Sequence, residues 1–564
     1  MTVGLVGSGP ALAAVEAALG DADVGTQAVE QDAVAEFELA VVVGQAGDAV
    51  FERVNEVALA ADQRWIAVEL GGVGGFPVVD AAVAGFGPEA GCYECLSGRV
   101  SANLDPQAEP TAAPPSHTAR FAGAVAGRQA VGQLLGDGDI IGEVIEIPHA
   151  ERAFLPLPHC VCDGERTRLP VRTTVDRDLS ESLARAERAV DDRVGLVQEV
   201  GEAESFPVPY YLAHACDTAG FSDATAGRDA AGVAAGWDAA FMKALGESIE
   251  RYAAGVYQTS AFEIAPEGAV SNPVSPTAFA GVDAAEPSEE IEWVAGENLL
   301  TGTAVQLPAE FVQYPPPSKR YRSPVTTGLG LGNDGTEALL AGLYEVIERD
   351  AAMLSWYSTF EPLALDVGDA EFETLVARAR SEGLSVSTLL LTQDVDVPVV
   401  AVAVHGETWP QFALGSGANL DVAVAARSAL AEALQNWMEL RGMGSDDAAD
   451  AMGAIGRYAD SPPERYIAGN DPVPATAVGP DEVPRGEAEL AELLDRLEET
   501  GLAAYATRTT TRDVSALGFE AVRVVVPAAQ PLLFGDVTFG ERAETVPEAM
   551  GFEPRLDRDH HPFP

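Results

Sequence analysis

The sequence has 564 residues, 47% of them hydrophobic, with 34 Lys+Arg against 88 Asp+Glu and a formal net charge of −54. That length suits two or three domains, and the apolar content is too high for a disordered acidic chain. Only two lysines occur, Lys243 and Lys319, so there is no broad phosphate-neutralising stripe, which argues against a nucleic-acid partner. There is no run of about 18 consecutive apolar residues, hence no membrane span. The opening MTVGLVGSGP lacks the basic region of a signal peptide, so a cytoplasmic protein is expected. The acid excess is spread along the whole chain, as in proteins adapted to high salt, where surface carboxylates hold water and cations and salt screens their repulsion.

In chain order, VGLVG reads as a short buried strand and PALAAVEAALG as a helix ending in Gly. LAVVVG and RWIAVEL are apolar runs of strand length, separated by a helical stretch from Asp48 to Asp62, and AAVAGF is one further strand. Strand and helix alternate as in a doubly wound, Rossmann-like α/β domain over residues 1–100. A Pro/Ala-rich stretch from Ser101 to Ser116 reads as an exposed linker. A helix over Thr118–Leu135 and a strand in IIGEVIEI follow. Residues 101–171 are taken as linker and cysteine-bearing segment. A second, α+β domain is expected over 172–564, with Ala/Leu-rich helices near 237–257, 336–357 and 421–441. Its strands are expected in SVSTLLL, VPVVAVAVH, AAYATRTTT and FEAVRVVVP.

The GSGPAL turn sets Gly7 and Gly9 between a strand and a helix, the context in which backbone amides approach a nucleotide. The third glycine of that fingerprint is replaced by Leu12, and Glu30 stands where a ribose-binding acid belongs. A structural or substrate-docking turn is the alternative reading, and the one preferred. Five cysteines occur, an odd and low count that argues against a disulfide framework. Cys92 and Cys95 form C-x-x-C, and Cys160 and Cys162 form C-x-C beside His159. Four such thiolates suit a closed structural Zn2+ site, with His159 as a substitute ligand; four unremarkable loop cysteines are the alternative.

Three helix fragments carry the strongest signal: KALGESIERYAA, GLYEVIERDAA and ALAEALQNWME. Each sets polar groups three residues apart on an otherwise apolar helix: Glu247/Glu250, Glu345/Glu348 and Glu432/Gln435. Residues at i and i+3 share a face. Lys243 lies one turn before Glu247, and Arg349 one turn after Glu345. In so acidic a chain, such pairs also arise on solvated faces. Packed on several sides, they would instead converge and need a cation, which Mg2+ supplies while bridging ATP phosphates.

These fragments resemble the YcaO family, whose ATP-binding set consists of SxxxExxE, ExxER and ExxQ helices. TTGLGLGNDGTEALLAGLYEVIERDA and FALGSGANLDVAVAARSALAEALQ resemble the family's approaches to its second and third motifs. The resemblance implies an enzyme that binds ATP and Mg2+ and phosphorylates a peptide-backbone amide oxygen, turning it into a good leaving group. Attack by Cys, Ser or Thr then gives an azoline, and attack by sulfide gives a thioamide. It implies Mg2+ ligands at Glu247, Glu250, Glu345, Glu348 and Glu432, nucleotide contacts at Lys243, Arg349 and Gln435, and catalytic roles for Glu345, Glu348 and Arg349.

Two departures stand out: Lys243 replaces the family's Ser, and Trp437 stands where many members have Arg. The HHPFP terminus resembles the proline-rich tail of ring-forming members, with Pro562 and Pro564 matching and His560 departing. The first part resembles the ThiF-like partner of azoline-forming cyclodehydratases, fused here, without the small leader-binding domain that often opens it. The expectation is thus a haloarchaeal cyclodehydratase of the YcaO type with a peptide or protein substrate. A homodimer is admitted; no nucleic acid and no membrane is expected. The alternatives are a thioamide-forming or other YcaO-dependent modification, a non-catalytic scaffold and, distantly, a dinucleotide oxidoreductase.

Overall fold

The computed structural model describes residues 1–564 except 106, 108, 109, 113, 139, 149, 163, 165, 166, 451–454, 468–470, 481 and 535–537. Four positions of the Pro/Ala-rich stretch after Ser101 therefore lie outside the described residues.

The first layer is a seven-stranded sheet in the order Gly25–Ala28, Thr2–Val6, Leu39–Gln45, Trp65–Leu70, Ala81–Phe86, Glu143–Ile147, Ala150–Ala153. The first four strands are parallel. Their period-2 alternation sends Val3, Leu5, Val41, Val43 and Ile66 towards helices Pro10–Asp21 and Ser116–Leu135. Ala40, Val42, Trp65 and Ala67 pack on the other face with helices Ala49–Ala60 and Tyr93–Ala102. Both faces of the central strands are covered, so Leu39–Gln45 and Trp65–Leu70 are near-continuous apolar runs; each buried Val or Leu contributes roughly 1.5–3 kcal/mol. The doubly wound expectation holds on one side of the sheet. From Trp65–Leu70 onward the pairing is antiparallel, because no helix crosses over between Leu70 and Ala81 and a short connection can only bring the chain back antiparallel. The last two strands lie beyond position 100, so this layer extends past the expected domain limit.

The described residues that follow build three sheets. Val197–Glu204, Tyr210–Ala215 and Asp229–Val233 form an antiparallel trio. A six-stranded sheet runs Glu263–Pro266, Glu290–Asn298, Tyr505–Arg508, Glu520–Val525, Leu329–Gly332, with Ala304–Pro308 also on Glu290–Asn298. A five-stranded sheet runs Phe412–Ala418, Val399–His405, Ser385–Leu390, Leu363–Asp366, Val473–Pro474. The three helices expected from the sequence are Trp237–Gly255, Gly335–Trp356 and Val422–Asp450, the last broken at Gly444. They pack, in that order, on the three-, six- and five-stranded sheets. Among the described residues no helix is long and apolar enough to cross a membrane.

Candidate active site

Each of the three helices lies close against a strand. A Cβ on Gly232 would fall 2.2 Å from the Ala244 amide nitrogen, and one on Gly415 would fall 2.3 Å from the Ala429 carbonyl oxygen. Only glycine permits that approach, and it brings the helix carboxylates to the strand backbone. Glu247 Oε2 accepts the Ala231 amide at 2.7 Å, and Glu432 Oε2 accepts the Ser416 amide at 2.6 Å. On the middle helix, Glu345 Oε2 accepts the Gly328 amide at 3.0 Å. The first acid of every motif is thus held by one backbone N–H, with its other oxygen left for a further partner.

All three helices face one cavity of about 1170 Å³, lined among others by Lys243, Glu247, Glu250, Glu345, Arg349, Ser416, Glu432, Gln435 and Pro564. Arg349 is the hub. Its Nη1 lies 3.4 Å from Glu348 Oε1, its Nη2 3.6 Å from Glu432 Oε1, and its Nε 3.9 Å from Glu345 Oε1. Glu348 also accepts the Ser416 hydroxyl at 2.7 Å. Burial pulls the Arg349 pKa down, but Glu348, Glu432 and Glu345 together hold it above the ordinary value. Arg251 Nη2 pairs with Glu247 Oε1 at 2.5 Å.

Negative charge remains in excess. Burial lifts the Glu250 pKa to about 8, and repulsion from Glu345 and Glu247 adds to the rise. Burial also lifts Glu348 to about 7 against the pull of Arg349, and it raises Glu247 and Glu432. Crowded carboxylates that resist ionisation are the donor set a divalent cation relieves. Hard oxygens are what Mg2+ takes, at about 2.0–2.1 Å and usually with phosphates of a substrate completing its shell. The residues present therefore fit Mg2+.

The flanking residues divide cleanly. Gln435 donates to Glu439 Oε1 at 2.9 Å, an oxygen that also accepts the Tyr210 hydroxyl at 2.9 Å. Trp437 points the other way: it is 5% exposed, donates to the Pro410 carbonyl, and lies under the Arg441 guanidinium at 4.4 Å. It belongs to the packing behind the helix. Lys243 opens into the cavity, where burial lowers its pKa and Glu432 opposes the change. Sequence reasoning missed Arg251 and Ser416. Arg251 sits one turn after Glu247, a spacing that signals it; only the fold brings Ser416 to Glu348.

The end of the chain is packed. His561 is fully buried, with Nε2 2.9 Å from the Leu533 carbonyl oxygen. Phe563 meets the Tyr466 ring edge-on at 5.9 Å. Pro562 is buried with them, and Pro564 reaches the carboxylate cavity.

A second constellation sits at the edge of the first layer. The Sγ atoms of Cys92, Cys95, Cys160 and Cys162 all lie within 4.8 Å of one another. Closest approaches are 3.4 Å for Cys95–Cys162, 3.5 Å for Cys92–Cys160 and 3.9 Å for Cys92–Cys95. Four thiolates about 2.3 Å from a tetrahedral Zn2+ require separations of this size, so the donors fit that ion. His159 is not one of the group. Arg512 donates to Cys162 Sγ at 2.9 Å, and the neighbouring thiols, Cys160 foremost, hold Cys162 far below the usual thiol range. The Gly7–Gly9 turn lies apart from both constellations. There Gly7 and Gly9 take φ of 113° and 96°, and a Cβ on Gly7 would fall 2.3 Å from the Val43 carbonyl oxygen, so strand packing accounts for that glycine.

Comparison with known proteins agrees with this geometry. An uncharacterized protein of Methanothermobacter thermautotrophicus is 30% identical over 262 residues, 43% of this chain; the match spans 66% of the relative, just under two thirds of its length. A solved heterocyclase in complex with substrate and cofactor superposes over 98% of this chain and 83% of its own, with TM-score 0.75 and 19% identity, a likeness of fold. YcaO from Methanopyrus kandleri, bound with AMPPCP and Mg2+, matches 63% of this chain and 91% of its own at TM-score 0.50 and 25% identity. The sequence model of the family described as YcaO cyclodehydratase, ATP- and Mg2+-binding, matches residues 231–530. With more than half of its length so matched, the chain belongs to the YcaO family.

Proposed function

We propose that the protein activates a peptide-backbone amide with ATP and closes Cys, Ser or Thr side chains into azolines. The observation that carries this reading is the meeting of Glu247, Glu250, Glu345, Glu432, Arg349 and Pro564 around one cavity, with Glu348 joined to them through Arg349 and Ser416. Glu247, Glu250, Glu345, Glu348 and Glu432 would hold Mg2+, which supplies charge neutralisation on the transferring phosphoryl group. Arg349 keeps those carboxylates oriented and offers its guanidinium to phosphate oxygens. Gln435 adds a neutral amide donor. Pro562 and Pro564, stiff and held by the buried Phe563, place the peptide amide at the cavity end.

The γ-phosphoryl group leaves the β–γ bridging oxygen and bonds to the former amide oxygen. The side-chain sulfur or oxygen bonds to the carbonyl carbon. The phosphorylated oxygen departs as phosphate, and the amide N–H and side-chain protons are released. The peptide loses the elements of one water as ATP becomes ADP and phosphate.

Residues 1–100, the part of the first layer that carries its parallel strands, act in this reading as a ThiF-like docking unit. Residues 101–171 complete a structural Zn2+ site on Cys92, Cys95, Cys160 and Cys162, and 172–564 form the ATP-using unit. The parallel, helix-flanked side of the first sheet supports the docking unit, and the thiol spacing supports the Zn2+ site. The acid excess supports function in concentrated salt. The test is to incubate the protein in high salt with ATP, Mg2+ and a Cys/Ser/Thr-rich peptide, and to read the product mass. Loss of one water supports azoline formation. Exchange of oxygen for sulfur with a sulfide source points to the thioamide reaction instead, and no mass change with any peptide points to a scaffold.

A further inference from the structure

Bases are scarce in this chain, 34 against 88 acids. Three arginines are buried among the described residues. Arg99 pairs with Asp513 and Arg542 with Asp350. Arg523 pairs with neither Asp nor Glu: no carboxylate oxygen of a described residue comes within 4.0 Å of it. Its Nη1 and Nη2 donate to the Thr326 and Val325 carbonyls, both at 2.8 Å, and its buried Nε–H has no partner. Arg322 stands beside it, half-buried and equally without a carboxylate at that distance. The Arg322 guanidinium lies 5.0 Å from the centre of the Phe311 ring, and one of its donors reaches the Ala280 carbonyl at 3.3 Å.

Both arginines line one cavity of about 30 Å³, walled by Phe279, Val346, Val524 and Thr327. Among the described residues no Asp or Glu lines it, in a chain that has acids almost everywhere else. Glu345, Glu250 and Glu310 act on the pair only from beyond ion-pair distance. Burial, then the Arg523 charge, lowers the Arg322 pKa to about 10, and burial lowers Arg523 to about 10 as well, so both stay cationic near neutral pH. Two like charges held together out of water need a counter-ion. Since about 10–15 Å³ admits one water, this cavity takes an ion little larger than water and excludes a nucleotide's phosphate chain. Guanidinium groups, more weakly hydrated than an ammonium, present such an anion with N–H donors at fixed angles.

We infer that this cavity is a halide site, in which one chloride ion bridges the Arg322 and Arg523 guanidinium groups. The ion completes the charge of the wall behind the carboxylates. Thr327 lines both cavities, and Arg523 grips the segment leading to Gly328, whose amide holds Glu345. The inference does not depend on what the carboxylate cavity binds.

Two measurements on the full chain test it. Crystals grown with bromide in place of chloride should give one anomalous peak between the two guanidinium groups. Urea unfolding is then followed at constant ionic strength as chloride replaces gluconate, an anion too large for the cavity. In wild type the unfolding equilibrium constant should fall about tenfold for each tenfold rise in chloride above the binding midpoint, as one ion held only by the folded chain requires. Arg322→Met, which keeps an apolar stem over Phe311, should lose that dependence and retain only the salt effect common to both proteins. The bromide map needs no variant and decides the matter should Arg322→Met fail to fold. Absence of the peak overturns the inference. A peak accompanied by equal chloride dependence in wild type and Arg322→Met marks an adventitious ion only, and overturns it too.

Discussion

Asp513→Asn should be among the most destabilising single changes in this chain. Arg99 and Asp513 form an ion pair in which both side chains are 0% exposed. Arg99 comes from the helix that starts beside Cys92, and Asp513 from the helix Arg512–Leu517. Tyr252, on the first motif helix, donates its hydroxyl to Asp513 Oδ2 at 2.6 Å. The remaining Arg99 donors reach the Leu155 carbonyl at 3.3 Å, the Pro156 carbonyl at 3.1 Å and the Tyr252 hydroxyl oxygen at 3.3 Å. Thr511 and the Val514 amide occupy Asp513 Oδ1. Every acceptor position of the carboxylate is therefore taken by a donor, and an Asn amide nitrogen would face donors whichever way it turned. Removing one charge of a buried pair costs about 3–5 kcal/mol, a large part of the roughly 5–15 kcal/mol that holds a typical domain folded. Urea unfolding in concentrated salt should show that loss. Because the pair is shielded from solvent ions, the loss should be about equal at low and high salt. The double variant Arg99→Met/Asp513→Leu should recover much of it, since no charge is then left buried. An Asp513→Asn protein within about 0.5 kcal/mol of wild type, the range of ordinary surface changes, would refute the reasoning.

Two further expectations concern the tail and the thiols. Burial depresses the His561 pKa to about 3, below an unfolded value near 6.5, so the folded chain holds the neutral ring. Its contribution is complete above about pH 6.5 and falls by about 1.4 kcal/mol per pH unit as pH drops towards 3. His561→Gln keeps an N–H for the Leu533 carbonyl and does not titrate, so its unfolding free energy should vary less steeply between pH 6 and 4; equal slopes would show that the tail is not docked through a neutral histidine. Metal analysis should find about one zinc per chain, with thiols silent to a thiol reagent until a chelator is added; Cys216, the fifth cysteine, is buried and outside the cluster. Four thiols that react at once in zinc-free, folded protein would remove the structural-zinc reading.

The elements that were legible in the sequence are those whose burial imposes a period. The helices Trp237–Gly255, Gly335–Trp356 and Val422–Asp450 and the runs Leu39–Gln45 and Trp65–Leu70 stand close to where periodicity places them. Val197–Glu204 is different. Its residues are mostly exposed and rich in acid, so no apolar alternation marks it, and it forms by pairing with Tyr210–Ala215. The turn to antiparallel pairing after Leu70 depends on the missing crossover helix rather than on either strand. At the site, acid spacing pointed to a shared helix face. No local pattern shows which amide each carboxylate takes, that Ser416 meets Glu348, or that Trp437 turns into the packing behind its helix. Those facts depend on residues far apart in sequence. The terminal HHPFP likewise gains its place from Tyr458 and Tyr466, which bond and pack against it.

If the carboxylates of three helices form a Mg2+-dependent nucleotide site, calorimetric titration with ATP will show it. Wild-type protein in concentrated salt should bind ATP with Mg2+ and not without it, and Glu345→Ala should abolish binding while the protein stays folded by circular dichroism. ATP binding that persists unchanged in Glu345→Ala, or that is indifferent to Mg2+ in wild type, would contradict the account.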